Sequence, residues 1–364
     1  MSDALNTDKV CTKQPLRLAI NGYGRIGRCV LRALFERKHE LMRPSVDSNG
    51  HSIAGVEIVA INELADCKTI AHLTKYDSTH GRFPGVVSVA DDCLTIDGCD
   101  IRVLHHRQIR DLPWAELQVD LVLECSGAFS DRATAEQHIA QGAKRVLFSQ
   151  PAQSDVDATI VYGINEDSLS AGDRIVSNAS CTTNCSLPVI KALDDAFGID
   201  SGVITTLHSA MNDQPVIDAY HHTDLRKTRS AIGSMIPVDT GLARGIERFM
   251  PHMKDRFEAQ AMRVPTANVS AIDLSVVVQQ DVTVEQINRV LATAAAEQFN
   301  GVLGYTEELL ASCDFNHDAR SGVVDAGQTR VAGQRLVKIL TWFDNEWGYA
   351  NRMLDVVRAW QKVL

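Results

Sequence analysis

The sequence of 364 residues predicts an α/β protein, in which a doubly wound parallel sheet is followed by an α+β part with a mixed or antiparallel sheet. Three observations carry this prediction. A strand, a glycine turn and a helix follow one another from residue 16, and short apolar runs then alternate with helical patterns up to about residue 180. Beyond that point the strands are longer and are separated by long connections.

The first elements form a βαβ unit, which implies a parallel sheet. Residues 16–21 alternate as in a strand, residues 26–37 carry apolar side chains at helical spacing, and residues 56–61 form a second apolar run. Residues 42–55 are polar and contain Pro and Gly without a clear period, so we expect an inserted surface loop there.

Later segments continue the alternation and then change in character. Strands are expected at 121–124 and 145–148 with a helix at 133–141 between them, and longer strands at 203–207, 257–264, 270–279 and 338–343. A closing amphipathic helix is expected at 349–364, and residues 1–14 read as a flexible tail. We therefore expect a first domain over 15–180, completed by 345–364, and a second domain over 181–344.

Charge and cysteine usage exclude several classes of protein. The chain carries 36 Lys and Arg against 46 Asp and Glu, a formal net charge of −10, which argues against nucleic-acid and anionic-membrane binding. No run of about 18 apolar residues is present, and the start lacks the apolar core of a signal peptide. Nine scattered cysteines without a CxxC pair are typical of a reduced, cytoplasmic protein, and no metal site is expected.

A glycine fingerprint follows the first strand. Gly22, Gly24 and Gly27 form a GxGxxG between a strand and a helix, which is typical of the turn of a Rossmann domain that holds a dinucleotide pyrophosphate. Glu63 follows the second strand, where an acidic side chain binds the adenosine ribose and disfavours a 2′-phosphate. The sequence therefore predicts NAD as the cofactor.

A cysteine at the start of a predicted helix is the candidate nucleophile. Cys181 lies in a run of Ser and Thr just before a helical pattern that ends near Gly198, so the helix N-terminus is expected to favour its thiolate. Cys185, one turn further along, is expected to be buried and inert. His208 ends the strand over 203–207 and is the candidate base.

Several motifs together resemble the glyceraldehyde-3-phosphate dehydrogenase family, over nearly the whole chain from residue 16. They are the segments 21–28, 124–127, 177–185, 262–266, 268–270 and 344–349. The resemblance implies that Cys181 is the nucleophile and that His208, 27 residues later, is its base partner. It also implies a homotetramer and a catalytic role for the second domain.

The resemblance also implies roles for residues in the matching motifs. Arg25 and Ile26 would contact the pyrophosphate, Glu63 the adenosine ribose, and Ser149 and Asn345 the nicotinamide, with Arg107 as a further cofactor contact. The substrate would be anchored by a set of polar and cationic residues, namely Ser180, Thr182, Lys227, Arg229, Thr240, Gly241 and Arg263.

Departures from the family pattern bear on the substrate. Met211 stands three positions after His208, where the family carries a Thr that binds phosphate, and a thioether cannot donate a hydrogen bond. This segment, with 61–66, 236–240 and 314–318, resembles the erythrose-4-phosphate dehydrogenase branch, whose product, 4-phosphoerythronate, leads to pyridoxal phosphate. Lys227, where an Arg is usual, and the insertion at 42–55 depart from that branch.

The resemblance implies a thiohemiacetal and then a thioester on Cys181. Water as the acceptor of the acyl group would give a free acid, whereas inorganic phosphate would give an acyl phosphate, as in glycolytic glyceraldehyde-3-phosphate dehydrogenase. The loss of the Thr favours water, although Met211 is also compatible with a simple packing change. A non-catalytic NAD-binding scaffold is the alternative of a different class.

Overall fold

The computed structural model describes residues 14–46, 50, 52–221 and 223–364, so the predicted tail lies outside the described residues except for Gln14. The strands are β1 (Leu16–Asn21), β2 (Ser45–Val46), β3 (Ser52–Ile53), β4 (Val56–Asn62), β5 (Tyr76–Asp77), β6 (Gly81–Arg82), β7 (Val87–Ala90), β8 (Cys93–Ile96), β9 (Cys99–Leu104), β10 (Leu121–Glu124), β11 (Arg145–Phe148), β12 (Ala158–Thr159), β13 (Ile175–Ser177), β14 (Ile199–His208), β15 (Ile236–Val238), β16 (Phe257–Arg263), β17 (Ser270–Val278), β18 (Leu303–Thr306), β19 (Gly322–Ala332) and β20 (Leu336–Phe343). The helices are α1 (Arg25–Glu36), α2 (Lys38–Leu41), α3 (Cys67–Lys75), α4 (Arg132–Ala140), α5 (Cys181–Phe197), α6 (Leu242–Phe249), α7 (Val284–Ala296) and α8 (Trp347–Lys362).

The first sheet confirms the predicted doubly wound architecture. Its strand order is β12-β13-β11-β10-β1-β4-β9-β8-β7, and the strands from β12 to β9 are parallel, whereas β8 and β7 are added antiparallel at one edge. Strand β1 lies between β10 and β4, so the carboxyl ends of these three strands meet where the first helix begins. Ligands of such sheets bind at this edge.

The second sheet is mixed, as predicted. Its order is β15-β16-β14-β17-β20-β19-β18, with parallel pairing of β14 with β16 and of β18 with β19 and antiparallel pairing elsewhere. The parallel register of β14 and β16 places His208 opposite Arg263. A side chain at the end of β14 therefore meets a cation at the end of β16.

The candidate nucleophile is packed against two of the apolar cores that lie under these sheets. The first core joins α1 to one face of the parallel sheet, and α8 returns to it through Met353, Val357 and Trp360. The second core packs α5, α6 and α7 on the mixed sheet. Cys181 is half-buried and contacts both cores. Within the described part of the chain, no helix is both long and apolar enough to span a bilayer.

The segment at 42–55 differs from the expected loop. Strands β2 and β3 pair antiparallel in it, with Ser45 opposite Ile53. Ile53 is buried, and Arg358 of α8 donates a hydrogen bond of 2.7 Å to the carbonyl oxygen of Ala54. The short alternation of polar and apolar residues in this segment was too brief to distinguish from a loop, and contacts to α8 supply the missing stabilisation.

Candidate active site

The three positions of the glycine fingerprint need glycine for different reasons. Gly22 has φ +90°, and a Cβ there would lie 2.4 Å from the backbone of Ser126, while a Cβ on Gly27 would lie 2.3 Å from the carbonyl oxygen of Gly22. Gly24 precedes α1, and a Cβ there would meet no protein atom within 4 Å. The fold itself therefore requires the outer two glycines, whereas the space over the middle one suits a close ligand at the helix N-terminus.

A matched pair of substitutions separates these two reasons. Gly22→Ala is expected to lower the free energy of unfolding by more than about 2 kcal/mol because it adds backbone strain and a clash. Gly24→Ala is expected to leave the melting temperature nearly unchanged and to raise the Kd for NAD by at least about tenfold. Thermal unfolding and fluorescence titration with NAD measure both, and unchanged NAD binding by Gly24→Ala would contradict a pyrophosphate at this turn.

Glu63 occupies the predicted place after β4. Its carboxylate accepts hydrogen bonds from the backbone N–H groups of Tyr23 at 3.0 Å and Leu64 at 2.7 Å. The acid is therefore held beside the glycine turn, where it can accept from ribose hydroxyls. Arg107 lies on the surface after β9, at the same edge of the sheet.

The local backbone places Cys181 at the first position of α5. Ser180 caps this helix, because its hydroxyl accepts a hydrogen bond from the N–H of Thr183 at 3.0 Å. Ala179 just before it has φ +54°, a left-handed conformation that is strained for a residue with a Cβ. Tyr349 donates a hydrogen bond of 2.9 Å to the carbonyl oxygen of Ala179. The first helix turn of α8 therefore holds the turn that presents the thiol.

His208 lies within reach of the thiol. Its Nε2 is 3.7 Å from Sγ of Cys181, and its Nδ1 is 2.9 Å from the carbonyl oxygen of Ser209 and 2.7 Å from Nη1 of Arg263. When Nδ1 carries the proton and donates to Ser209, Nε2 has a lone pair facing the thiol. When Arg263 donates to Nδ1 instead, the proton is on Nε2. His208 can accept the thiol proton only in the first tautomer.

Burial governs the titration of this pair. It raises the pKa of Cys181 to about 11, although Arg263 and the backbone N–H groups at the start of α5 lower it. Burial and Arg263 lower the pKa of His208 to about 4. The N–H groups at the start of α5 do favour the thiolate, as predicted, but desolvation outweighs them, so the net pKa of the thiol is raised. Both groups are neutral near pH 7, which leaves His208 able to act as a base.

A cavity of about 490 Å³ opens over the thiol. Seven residues that the sequence predicted as site residues line it, namely Arg25, Ile26, Ser149, Ser180, Cys181, His208 and Asn345. The side-chain oxygen of Asn345 accepts hydrogen bonds from the hydroxyls of Ser209 at 3.0 Å and Ser270 at 2.8 Å. Its amide N–H groups are therefore left to donate, which suits a carboxamide oxygen such as that of nicotinamide.

Arg25 is placed at the cavity but is already paired. Its guanidinium forms ion pairs with Asp77 at 2.5 Å and with Glu346. The first backbone N–H groups of α1 have no partner within the helix, so a pyrophosphate at this turn would be bound by them rather than by the Arg25 side chain.

The remaining predicted substrate residues do not line this cavity. Lys227 forms an ion pair of 2.8 Å with Asp213, and Arg229 forms one of 2.7 Å with Asp218. The hydroxyl of Thr240 accepts a hydrogen bond from the N–H of Leu242 at 3.2 Å, and Gly241 precedes α6. Thr182 and Ser180 share a hydrogen bond of 2.9 Å between their hydroxyls. Arg263 reaches the site through its contact with His208, and its buried Nε has no hydrogen-bond partner.

Two residues of the cavity wall were not among the predicted site residues. Tyr349 and Glu346 line it, the first as the support of Ala179 and the second as a partner of Arg25. Both belong to the segment 344–349, which leads into α8. The signal that could have identified them is the polar run that precedes this amphipathic helix. Met211, which the sequence singled out, also lines the cavity and is exposed.

Both halves of the chain match known protein families. Residues 16–132 match the NAD binding domain of glyceraldehyde 3-phosphate dehydrogenase, and residues 180–345 match the C-terminal domain of the same enzyme. The cofactor is therefore NAD, and the glycine turn, Glu63 and Asn345 are chemically suited to hold it. The protein is an NAD-dependent dehydrogenase of phosphosugar aldehydes. The chain belongs to the glyceraldehyde 3-phosphate dehydrogenase family.

Proposed function

We propose that this dehydrogenase oxidises D-erythrose 4-phosphate to 4-phosphoerythronate and that water, not inorganic phosphate, releases the product. The observation that carries the proposal is Met211, which lines the cavity beside His208. A side chain without a hydrogen-bond donor at this place weakens a site for a free phosphate ion. The product is a free acid of the kind that leads to pyridoxal phosphate.

The surrounding charges support water as the acceptor. The carboxylate of Asp213 pairs with Lys227, and Lys227 and Arg263 hold the pKa of Asp213 below its usual value. Asp218 likewise pairs with Arg229. An inorganic phosphate dianion that approached either cation would meet a carboxylate as well, and like charges repel each other.

In the first step, Sγ of Cys181 attacks the aldehyde carbon as His208 accepts the thiol proton at Nε2, giving a thiohemiacetal. The N–H groups at the start of α5 stabilise the negative charge that develops on the carbonyl oxygen. His208 passes the thiol proton to the alkoxide oxygen, which completes the thiohemiacetal. It takes the hydroxyl proton back as the hydride leaves, and that proton then passes to solvent. NAD held by the glycine turn, Glu63 and Asn345 would supply the acceptor for the hydride from this carbon, so that a thioester remains on Cys181.

In the second step, His208 removes a proton from a water molecule that attacks the thioester carbonyl. The C–S bond breaks, the thiol of Cys181 regains a proton, and the carboxylic acid leaves. In total, one aldehyde, one NAD and one water give one carboxylate, one NADH and two protons. The cavity of about 490 Å³ at the thiol leaves room for this water.

The structure of the surface is consistent with assembly. Six large apolar side chains are exposed within one segment of the second half of the chain, namely Val216, Ile217, Tyr220, Leu225, Ile232 and Met235. Where exposed apolar side chains form a contiguous patch, they are typical of protein interfaces. We accordingly propose a homotetramer that acts in the cytoplasm, without a nucleic-acid or membrane partner.

The acceptor can be tested by a gain of function. With erythrose 4-phosphate and NAD, the protein is expected to form NADH at the same rate with and without inorganic phosphate. Met211→Thr is expected to acquire phosphate stimulation of at least about threefold, because the hydroxyl can donate to phosphate. Steady-state NADH absorbance and a chemical assay for acyl phosphate measure the two outcomes.

Leu309→Thr is the matched control, because Leu309 is an exposed apolar residue outside both the cavity and the apolar segment described above, and it is expected to behave as the parent protein. If rapid turnover of the parent requires inorganic phosphate and glyceraldehyde 3-phosphate, the protein is instead a phosphorylating glyceraldehyde-3-phosphate dehydrogenase. Binding of NAD without oxidation of either sugar would indicate a scaffold.

A further inference from the structure

We propose that the protein binds one transition-metal ion, with Zn²⁺ as the preferred ion, through Cys67, Asp92 and His105. Sγ of Cys67 lies 3.6 Å from Nε2 of His105 and 3.8 Å from Oδ1 of Asp92, and the latter two atoms are 3.8 Å apart. The three donor atoms therefore form a nearly equilateral triangle at the edge of the parallel sheet. These residues lie apart from the catalytic thiol and have no part in the proposed oxidation.

The size of the triangle fits a metal. Bonds of about 2.0–2.3 Å from Zn²⁺ to O, N and S ligands place the ligand atoms of a tetrahedron about 3.3–3.8 Å apart. The chemistry also fits, because thiolate, imidazole and carboxylate are all Zn²⁺ ligands. Asp92 is exposed, so water can take the fourth position.

Each ligand is held by a neighbouring group. Nδ1 of His105 lies 2.8 Å from the carbonyl oxygen of Glu63, so the proton is on Nδ1 and the lone pair of Nε2 faces Cys67. A histidine that donates its other N–H to a carbonyl is the usual arrangement around a bound metal. The carbonyl oxygen of Asp92 accepts a hydrogen bond of 2.8 Å from the N–H of Val103.

Cys67 is positioned by the start of α3. Asp66 caps this helix by accepting hydrogen bonds from the N–H of Thr69 at 2.9 Å and from its hydroxyl at 2.7 Å. Cys67 is the first residue of the helix, so its backbone is fixed by the cap. The ligands thus come from α3, from the turn between β7 and β8, and from the end of β9.

The simplest alternative is a thiol hydrogen-bonded to an imidazole and a carboxylate. Among the described residues, neither Lys nor Arg forms an ion pair with Asp92. A bound cation would compensate both anionic ligands, and the thiol proton would leave to solvent as the metal–sulfur bond forms.

The proposed metal site lies next to the residues of the first domain that are suited to bind NAD. His105 is tied to the backbone of Glu63, whose carboxylate faces the glycine turn. A metal would therefore join α3, the β7–β8 turn and the strand end next to the adenosine side of the NAD site. It would stabilise this edge of the sheet without contacting the substrate.

The test uses Co²⁺ as a spectroscopic probe of the full-length protein. Cys181→Ser serves as the background, because the catalytic thiol is itself a potential metal ligand. One Co²⁺ per chain is expected to bind with the intense d–d absorption of a four-coordinate ion and a thiolate-to-metal charge-transfer band. Adding Cys67→Ser should abolish that band, and adding His105→Gln should weaken binding by more than about tenfold.

Cys99→Ser is the matched control, because Cys99 is an exposed cysteine on β9 outside the triangle. Adding it to Cys181→Ser should leave the charge-transfer band of the Co²⁺-bound protein unchanged. Zn²⁺ should displace Co²⁺ and raise the melting temperature of the background protein but not that of the Cys67→Ser protein. A band that persists in Cys67→Ser, or a Co²⁺ spectrum without saturation at one ion per chain, would overturn the proposal and leave a thiol–imidazole hydrogen bond.

Discussion

Cys181→Ser is expected to lower the rate of NADH formation from erythrose 4-phosphate by at least about 10⁴-fold, because the hydroxyl is a far weaker nucleophile than sulfur and a poorer leaving group in the acyl intermediate. Binding of NAD should be nearly unchanged, since the glycine turn and Glu63 keep their contacts and serine is close to cysteine in size. Stopped-flow absorbance measures the first quantity and fluorescence titration measures the second.

The matched control for this substitution is Cys185→Ser. Cys185 is one turn further along α5 and completely buried, as the sequence predicted, and its Sγ cannot meet a substrate in the cavity. The control is expected to lose stability but to keep its turnover rate per folded chain. Retention of substantial activity by Cys181→Ser would show that sulfur is not the nucleophile.

The pH dependence of the alkylation rate of Cys181 should report the pKa of its thiol. Because burial raises the pKa of Cys181 to about 11, its thiolate fraction rises about tenfold for each pH unit between 7 and 10. Alkylation of Cys181 by iodoacetamide in the NAD-free protein should follow the same slope, as measured by mass spectrometry of the labelled peptide.

The elements that could be predicted from the sequence are those in which the spacing of apolar residues matches the side chains buried in the folded protein. Strand β1, the glycine turn and α1 are encoded within about twenty residues, and the period of the apolar side chains changes from two to 3.6 at the turn. The small strands β2 and β3 were not accessible, because two paired residues each carry no period. Their pairing depends on contacts with α8, about 300 residues away in the chain.

The candidate site was predictable to the level of residue type and chain position, but not to the level of charge. Helix polarity at Cys181 can be read from a sequence, whereas the desolvation that raises its pKa comes from two separate cores. The partners of the cations were equally hidden. Nothing local to Arg25 indicates that Asp77 and Glu346 bind its guanidinium.

His208→Asn is expected to reduce kcat/KM by about 10²–10⁴-fold, because it removes the group that accepts the thiol and hydroxyl protons. Asn approximates the shape of the imidazole and can still hydrogen-bond to Ser209, so the melting temperature should change little. The residual activity should rise with hydroxide concentration, since solvent base then replaces the side chain. Steady-state rates over a range of pH measure both effects.

The acid side of the pH profile gives an independent test of the same residue. Burial and Arg263 lower the pKa of His208 from 6.5 to about 4, so the neutral base is present above that pH and kcat/KM should fall only as the pH drops towards 4. Protonation of the imidazole must overcome desolvation first, and then the charge of the Arg263 guanidinium, whose Nη1 is 2.7 Å from Nδ1. The fall therefore occurs below the ordinary histidine range. Arg263→Gln removes that charge but leaves the burial, which is the larger cause, so the fall should move part of the way to higher pH. Arg229→Gln, whose side chain is exposed and paired with Asp218, should leave the fall in place. A fall near pH 6.5 in the parent protein would mean that His208 is not buried beside Arg263 in the working enzyme.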